Sequence, residues 1–167
     1  SSQLGVFSGT QLNALTTSNA ALLTTTQLSG LSAAQVGQIH STNLSALSST
    51  QVQSLTTTQL VGFTATQAKG LSTADFGDFS STQILSLSGA QLSGLSSTNL
   101  GSLSSTELKA LSSTQLAGLT TAQVASLSST NADYLTSTQL GELSAAQVGA
   151  LDSAALSSLN STQAQAF

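Results

Sequence analysis

Cysteine, proline, methionine and tryptophan are all absent from this chain of 167 residues, and charged residues make up only 5% of it. The lack of Cys excludes disulfides and thiolate metal sites. A soluble domain ordinarily carries about 25% charged residues. Lys69 and Lys109 are the only cations, and the net charge is −4. A nucleic-acid binder needs a basic face, so nucleic acid is not an expected partner. No apolar run approaches the roughly eighteen residues of a membrane span. The first residues show neither the basic start nor the apolar stretch of a signal peptide.

What the chain does have is an octad repeat, running from end to end without insertion or deletion. Gln11, Gln27, Gln35, Gln51, Gln59 and Gln67 open one column that continues to Gln163. Asn19, Asn43, Asp75, Asn99, Glu107 and Asn131 fill most of its gaps. One residue later stands an apolar column that includes Leu12, Leu28, Val36 and Leu44. Three residues beyond it stands a second, with Leu15, Leu23, Leu31, Ile39, Leu47, Leu55 and Phe63. A strict repeat fixes architecture before any other reading. Identical stacked units also build a surface or a spacer more readily than one unique pocket.

Disorder goes with low hydrophobicity and high charge; here 39% of residues are hydrophobic and the leucines are strictly spaced. One continuous helix fails on geometry. Eight residues at about 100° each rotate the apolar pair by roughly 80° per unit, so no stripe forms. A strand would send two columns three residues apart to opposite faces. A broken helix fits. The residue after the second apolar column is Ser8, Thr16, Thr24, Ser32, Ser48 and so on, or Asp152 or Asn160, all good N-caps; His40 is the poor one. With Gln three residues on, each unit reads as a capping box, and the flanking Leu residues read as a hydrophobic staple. Each octad therefore encodes one helix of about six residues, and the next cap turns the chain.

The first apolar column also alternates. Leu4, Ala20, Val36, Val52, Ala68 and Ile84 are mostly small or β-branched, while Leu12, Leu28, Leu44, Leu60, Phe76 and Leu92 are mostly large. Facing large and small positions fill a core, so this period predicts two octads per coil. The expectation is an all-α solenoid of very short capped helices over residues 1–167, one uninterrupted array that forms a segment of a longer one. The alternative is a β-solenoid with Gln and Thr ladders, which lacks the Gly, Asn and Asp corners of such folds.

Residues able to carry chemistry are few. His40 replaces a cap Ser and is expected at an exposed corner. Asp75 and Asp78 stand three apart, but calcium takes six or more oxygens, and Asp75 reads as a capping variant. Lys109 follows Glu107 too closely to face it. Asn43-Leu44-Ser45 and Asn160-Ser161-Thr162 match the glycosylation acceptor pattern, which arises by chance in a chain so rich in Ser and Thr. Leu22 and Tyr134 occupy a usually small position beside Ala20 and Ala132, as if compensating in volume. No nucleophile–base pair, phosphate loop or metal cluster is legible. No catalytic, cofactor-binding or metal residue is assigned, no cofactor or small-molecule substrate is expected, and an enzyme is not expected.

Units such as Leu31-Ser32-Ala33-Ala34-Gln35-Val36 and Leu119-Thr120-Thr121-Ala122-Gln123-Val124 resemble the octapeptide arrays of very large secreted or surface proteins of bacteria. That resemblance covers the whole chain. It implies an extracellular or cell-surface structural segment: a stalk, a spacer or a self-assembling filament. Self-association, end to end or side by side, is the expected partnership. A rival use is a regular Ser/Thr surface for adhesion or ice binding, built on the column Thr10, Thr26, Thr42, Thr50, Thr58 and Thr66 and interrupted at Ala34, Ala74 and Ala90.

Overall fold

The computed structural model describes residues 4–167 and divides into two compact units, Ser1–Leu87 and Ser88–Phe167. In the first, a 3-10 turn at Leu4–Val6 precedes α1 (Gly9–Asn13), α2 (Thr17–Ala21), α3 (Thr25–Leu28), α4 (Ala33–Val36), α5 (Ser41–Leu44), α6 (Ser49–Gln53), α7 (Thr57–Leu60), α8 (Ala65–Lys69), α9 (Thr73–Gly77) and α10 (Ser81–Ser86). The second holds α11 (Gly89–Leu92), α12 (Ser97–Gly101), α13 (Ser105–Ala110), α14 (Ser113–Ala117), α15 (Thr121–Ala125), α16 (Ser129–Tyr134), α17 (Ser137–Gly141), α18 (Ala145–Val148), α19 (Ser153–Ser158) and α20 (Ser161–Ala164). The described residues contain no strand. The fold is an all-helical solenoid with one short helix per octad, as the capping pattern predicts.

Side-chain caps set the corners of α1 to α20 except at His40. The N-cap residue is extended, with φ −69° and ψ 161° at Ser8 and φ −75° and ψ 157° at Thr56. Its hydroxyl accepts from the amide three residues on, as Ser48 does from Gln51. No described residue has a positive φ, so the corners need no left-handed glycine. Helices of four to six residues are far too short to persist alone. Tertiary packing holds them.

Packing corrects the expected coil. Helices in extensive contact are three apart: α2 on α5, α4 on α7 and α7 on α10 in the first unit, and α11 on α14, α13 on α16 and α17 on α20 in the second. Ala33 and Thr57, which open α4 and α7, mark one such step, so a coil takes three octads and not two. The alternation in the first apolar column acquires another meaning. Up the face of α4, α7 and α10 it reads Val36, Leu60, Ile84; up that of α2, α5 and α8 it reads Ala20, Leu44, Ala68. Large residues sit above small ones within a face, instead of opposite them across a coil. Where one coil carries Val52 and Ala68, the second column supplies Phe63, whose ring lies 5.8 Å from that of Phe79.

Both apolar columns form the core. Leu28, Val36, Leu92, Leu100 and Leu140 are fully buried, and Leu31, Leu55, Leu87 and Leu135 nearly so. Burial is not uniform in the second column: Leu15, Leu23 and Leu159 are half-buried. Leu22 is 78% exposed, so it does not compensate for Ala20. Tyr134 is half-buried instead, with the Lys109 ammonium 5.6 Å from its ring centre. Near the end of the second unit Ala155 takes the Gln position and is buried, while Leu156 turns outward. With no Gln side chain between them, α19 lies close on α16, and the Ser158 hydroxyl donates to the Ser129 carbonyl at 2.9 Å.

Some coils approach so closely that only glycine fits. A Cβ on Gly62 would come within 1.8 Å of the Ala33 carbonyl oxygen, and one on Gly118 within 2.5 Å of the Gly89 Cα.

Candidate functional surface and the glutamine ladder

A short helix leaves orphan N–H groups at its start and orphan C=O groups at its end. The Gln column resolves both. Gln59 accepts at Oε1 from the Thr56 amide at 2.9 Å, which closes its own corner. Its Nε2 donates to the carbonyls of Leu28 and Leu31, both at 2.8 Å, in the coil beneath. Gln67 does the same to Val36 and Ile39, and Gln83 to Val52 and Leu55. In the second unit Gln123 reaches Leu92 and Leu95, Gln139 reaches Leu108 and Leu111, and Gln147 reaches Leu116 and Leu119. Each donation spans 31 or 28 residues. These amides are buried, so the bonds form where an unpaired carbonyl would be costly.

The sequence offered a signal for this ladder. A capping box accepts Glu as readily as Gln. Yet the column holds Gln in most octads and Glu only at Glu107. An acceptor alone would not require that choice. A side chain that must also donate does, because a carboxylate has no N–H.

At Asn43 and Asp75 the departure from Gln is met by other bonds. Asn43 is buried and gives its amide to the Leu15 carbonyl at 3.1 Å, so it cannot also close its own corner. His40, the cap there, makes no side-chain cap bond. Its amide is taken instead by Asn13 Oδ1 at 2.9 Å from the coil below, and Asn13 Nδ2 donates to the Gln38 carbonyl at 2.7 Å. Asp75 keeps the box, accepting from the Ser72 amide at 2.9 Å and hydroxyl at 2.8 Å. Having no N–H to donate downward, it accepts from the Ser45 hydroxyl at 2.9 Å. Partial burial pushes its pKa up, but the bonds from Ser72 and Ser45 outweigh that and hold the carboxyl below its usual range.

The remaining sequence candidates do not converge. His40 is exposed and borders an open hollow with Ser8, Gly9, Thr10, Asn13, Ala14 and Gln38, which contains no carboxylate. Asp78 sits half-buried at the C-terminal cap of α9, whose N-cap is Ser72 and whose first turn holds Asp75. Among the described residues no group of His, Asp and Glu could hold a metal ion, and no helix is long and apolar enough to cross a membrane. Of the two acceptor patterns, Asn43 is buried, while Asn160 is an exposed N-cap that accepts from the Gln163 amide at 3.0 Å.

The outward surface is polar and regular. Thr10, Thr26, Thr42, Thr58, Thr82 and their counterparts are exposed throughout. Thr114, Thr138 and Thr162 take the same place on α14, α17 and α20, which stack in turn. Up α12, α15 and α18 the series is broken, as Thr98, Ala122 and Ala146.

Comparison with known proteins agrees with a repeat array. No curated protein and no solved structure matches the chain. Residues 97–129, which span α12 to α15, match the sequence profile of the ALTTAQ repeat, and Leu119-Thr120-Thr121-Ala122-Gln123 carries five of the six residues in that name.

Proposed function

We propose that this chain is a structural segment of a secreted or cell-surface bacterial protein, serving as a stalk, spacer or filament subunit and not as an enzyme. The observation that supports it is the repeated glutamine joint. The same buried side chain fastens coil to coil at Gln59, Gln67 and Gln83, and again at Gln123, Gln139 and Gln147. Stability is thereby spread along the array in near-equal shares, as suits a body that must resist extension. The bacterial surface setting is carried by the resemblance of the octad to such arrays.

Pulling single molecules by their two termini tests this reading. Coils should unravel one after another, each releasing about 80 Å of chain at roughly 3.3–3.6 Å per residue. One all-or-none rupture of the whole chain would contradict it. A second reading, a Ser/Thr binding face, is favoured by the stacked Thr114, Thr138 and Thr162. Thermal hysteresis at micromolar protein, abolished by Thr138→Leu, would support ice binding on that face; none would exclude it.

A further inference from the structure

We propose that the corner beneath Asp75 binds one small monovalent cation, ammonium or potassium, in the place that a glutamine amide nitrogen holds at the neighbouring joints. The site is built from carbonyls and one carboxylate, not from a cluster of side chains, and the joint there is completed by an ion from solution.

The neighbouring joints define that place. Each sets one nitrogen between two carbonyls, 31 and 28 residues earlier in the chain. Gln67 Nε2 lies 2.7 Å from those of Val36 and Ile39, and Gln83 Nε2 lies 2.8 Å from those of Val52 and Leu55. The same step back from Asp75 leads to Leu44 and Leu47, both buried. Asp75 does stand over this corner, because the hydroxyl of Ser45 donates to it at 2.9 Å. It brings an acceptor, however, where each Gln brings a donor.

The hydrogen bonds leave one side of the carboxylate open. The Ser72 amide, the Ser72 hydroxyl and the Ser45 hydroxyl all donate to Oδ2. Among the described residues nothing donates to Oδ1 or to the Leu47 carbonyl, and no lysine pairs with the carboxylate. The Leu44 carbonyl accepts from the Leu47 amide at 3.1 Å, as the Leu28 carbonyl accepts from the Leu31 amide while also taking Gln59. Beside Asp75 lies a small cavity of about 10 Å³, walled by Leu44, Leu71, Phe79 and Asp78 among others. That is room for one water-sized occupant.

Chemistry selects the occupant. Oδ1 and the two carbonyls are three acceptors, and a water molecule has only two O–H groups. Ammonium has four N–H groups, and potassium, of nearly the same size, takes carboxylate and carbonyl oxygens alike. Calcium takes six or more oxygens, which this corner does not hold. A missing Gln is not sufficient by itself. The corner of Val124 and Leu127 beneath Ala155 also lacks one, but no charge stands there and α19 closes on α16 instead.

Urea denaturation at neutral pH and constant ionic strength tests the site. Tetramethylammonium chloride, too large for the cavity and without N–H groups, is replaced stepwise by potassium or ammonium chloride. Wild-type stability should rise with the small cation: at about ten times the dissociation constant, the unfolding equilibrium constant falls about 11-fold. Asp75→Gln carries its own amide nitrogen and should fold without that response. Asp133→Asn, which removes an exposed carboxylate elsewhere, should respond like wild type. A response to both ions supports selection by size and charge, and a response to ammonium alone supports selection by its N–H groups. Equal wild-type stability in all three salts overturns the site, as does an Asp75→Gln variant that keeps the full response.

Discussion

Gln67 and Asn43 occupy the same column on stacked helices, α8 over α5, yet they hold their coils differently. Gln67 accepts from the Thr64 amide at 2.8 Å and donates to Val36 and Ile39 at 2.7 Å each. One side chain closes a corner and fastens a coil. Asn43, one methylene shorter, manages only the bond to Leu15. The His40 corner is then closed by a second residue, Asn13, from another coil. A joint made by one residue is copied by copying the octad. A joint made by two requires matched changes in two distant octads.

The largest effects should come from breaking what both joints share. Leu55→Ala removes a side chain 3% exposed in the second apolar column and should cost about 2–5 kcal/mol in chemical denaturation. A cost typical of a surface change would remove that column from the core. Gln67→Ala strips the corner of one acceptor and two buried carbonyls of their donor. It should cost about 2–4 kcal/mol, with unpaired groups at about 1–3 kcal/mol each, partly relieved by water. Asn43→Ala should cost less, because it abandons one carbonyl. Equal losses at the two positions would break the comparison.

The repaired corner predicts how two distant changes combine. Asn13→Ala leaves the His40 amide and the Gln38 carbonyl without partners and should cost about 1–3 kcal/mol. His40→Ser restores a cap hydroxyl and should be neutral or stabilising by about 1 kcal/mol. In the double variant the introduced hydroxyl serves the amide three residues on, not the one Asn13 held, so the two changes should add. Rescue of Asn13→Ala by His40→Ser would show that Asn13 merely substitutes for the missing cap.

The smallest effect is at Asp75. Its carboxyl is held below the usual value of 3.8, so the charged form is favoured by folding. That contribution is complete above the unfolded pKa and is lost as pH falls through the lower folded value. Asp75→Gln should abolish this acid-side loss and gain a downward donor toward the Leu44 and Leu47 carbonyls. Stability measured from neutral to strongly acidic pH would check it; an unchanged slope in the variant would remove Asp75 from the linkage.

Much of this architecture was legible in the octad. The cap column and the Gln three residues on specify a helix start and a corner, and both appear in most units as read. Coil size was not legible from the same features. An alternation with a two-octad period places large opposite small across a two-helix coil, but also large above small up each face of a three-helix coil, and both fill space. The discriminating information lay in the chemistry of the column: Gln where Glu would cap as well. That preference demands an acceptor outside the octad. The acceptors lie 28 and 31 residues back, which fits only a coil of three helices. The Asn13 repair was hidden for a different reason. It joins positions in two columns that no repeat pattern pairs.

The three-octad coil can be measured directly. Because the chain has no Cys, spin labels can be placed at will on the exposed threonines. Labels at Thr58 and Thr82, on the stacked helices α7 and α10, are three octads apart; labels at Thr66 and Thr82 are two octads apart, on different faces. Pulsed electron resonance should give the shorter distance for the Thr58–Thr82 pair. A shorter distance for the Thr66–Thr82 pair would contradict the three-helix coil and with it the ladder that depends on it.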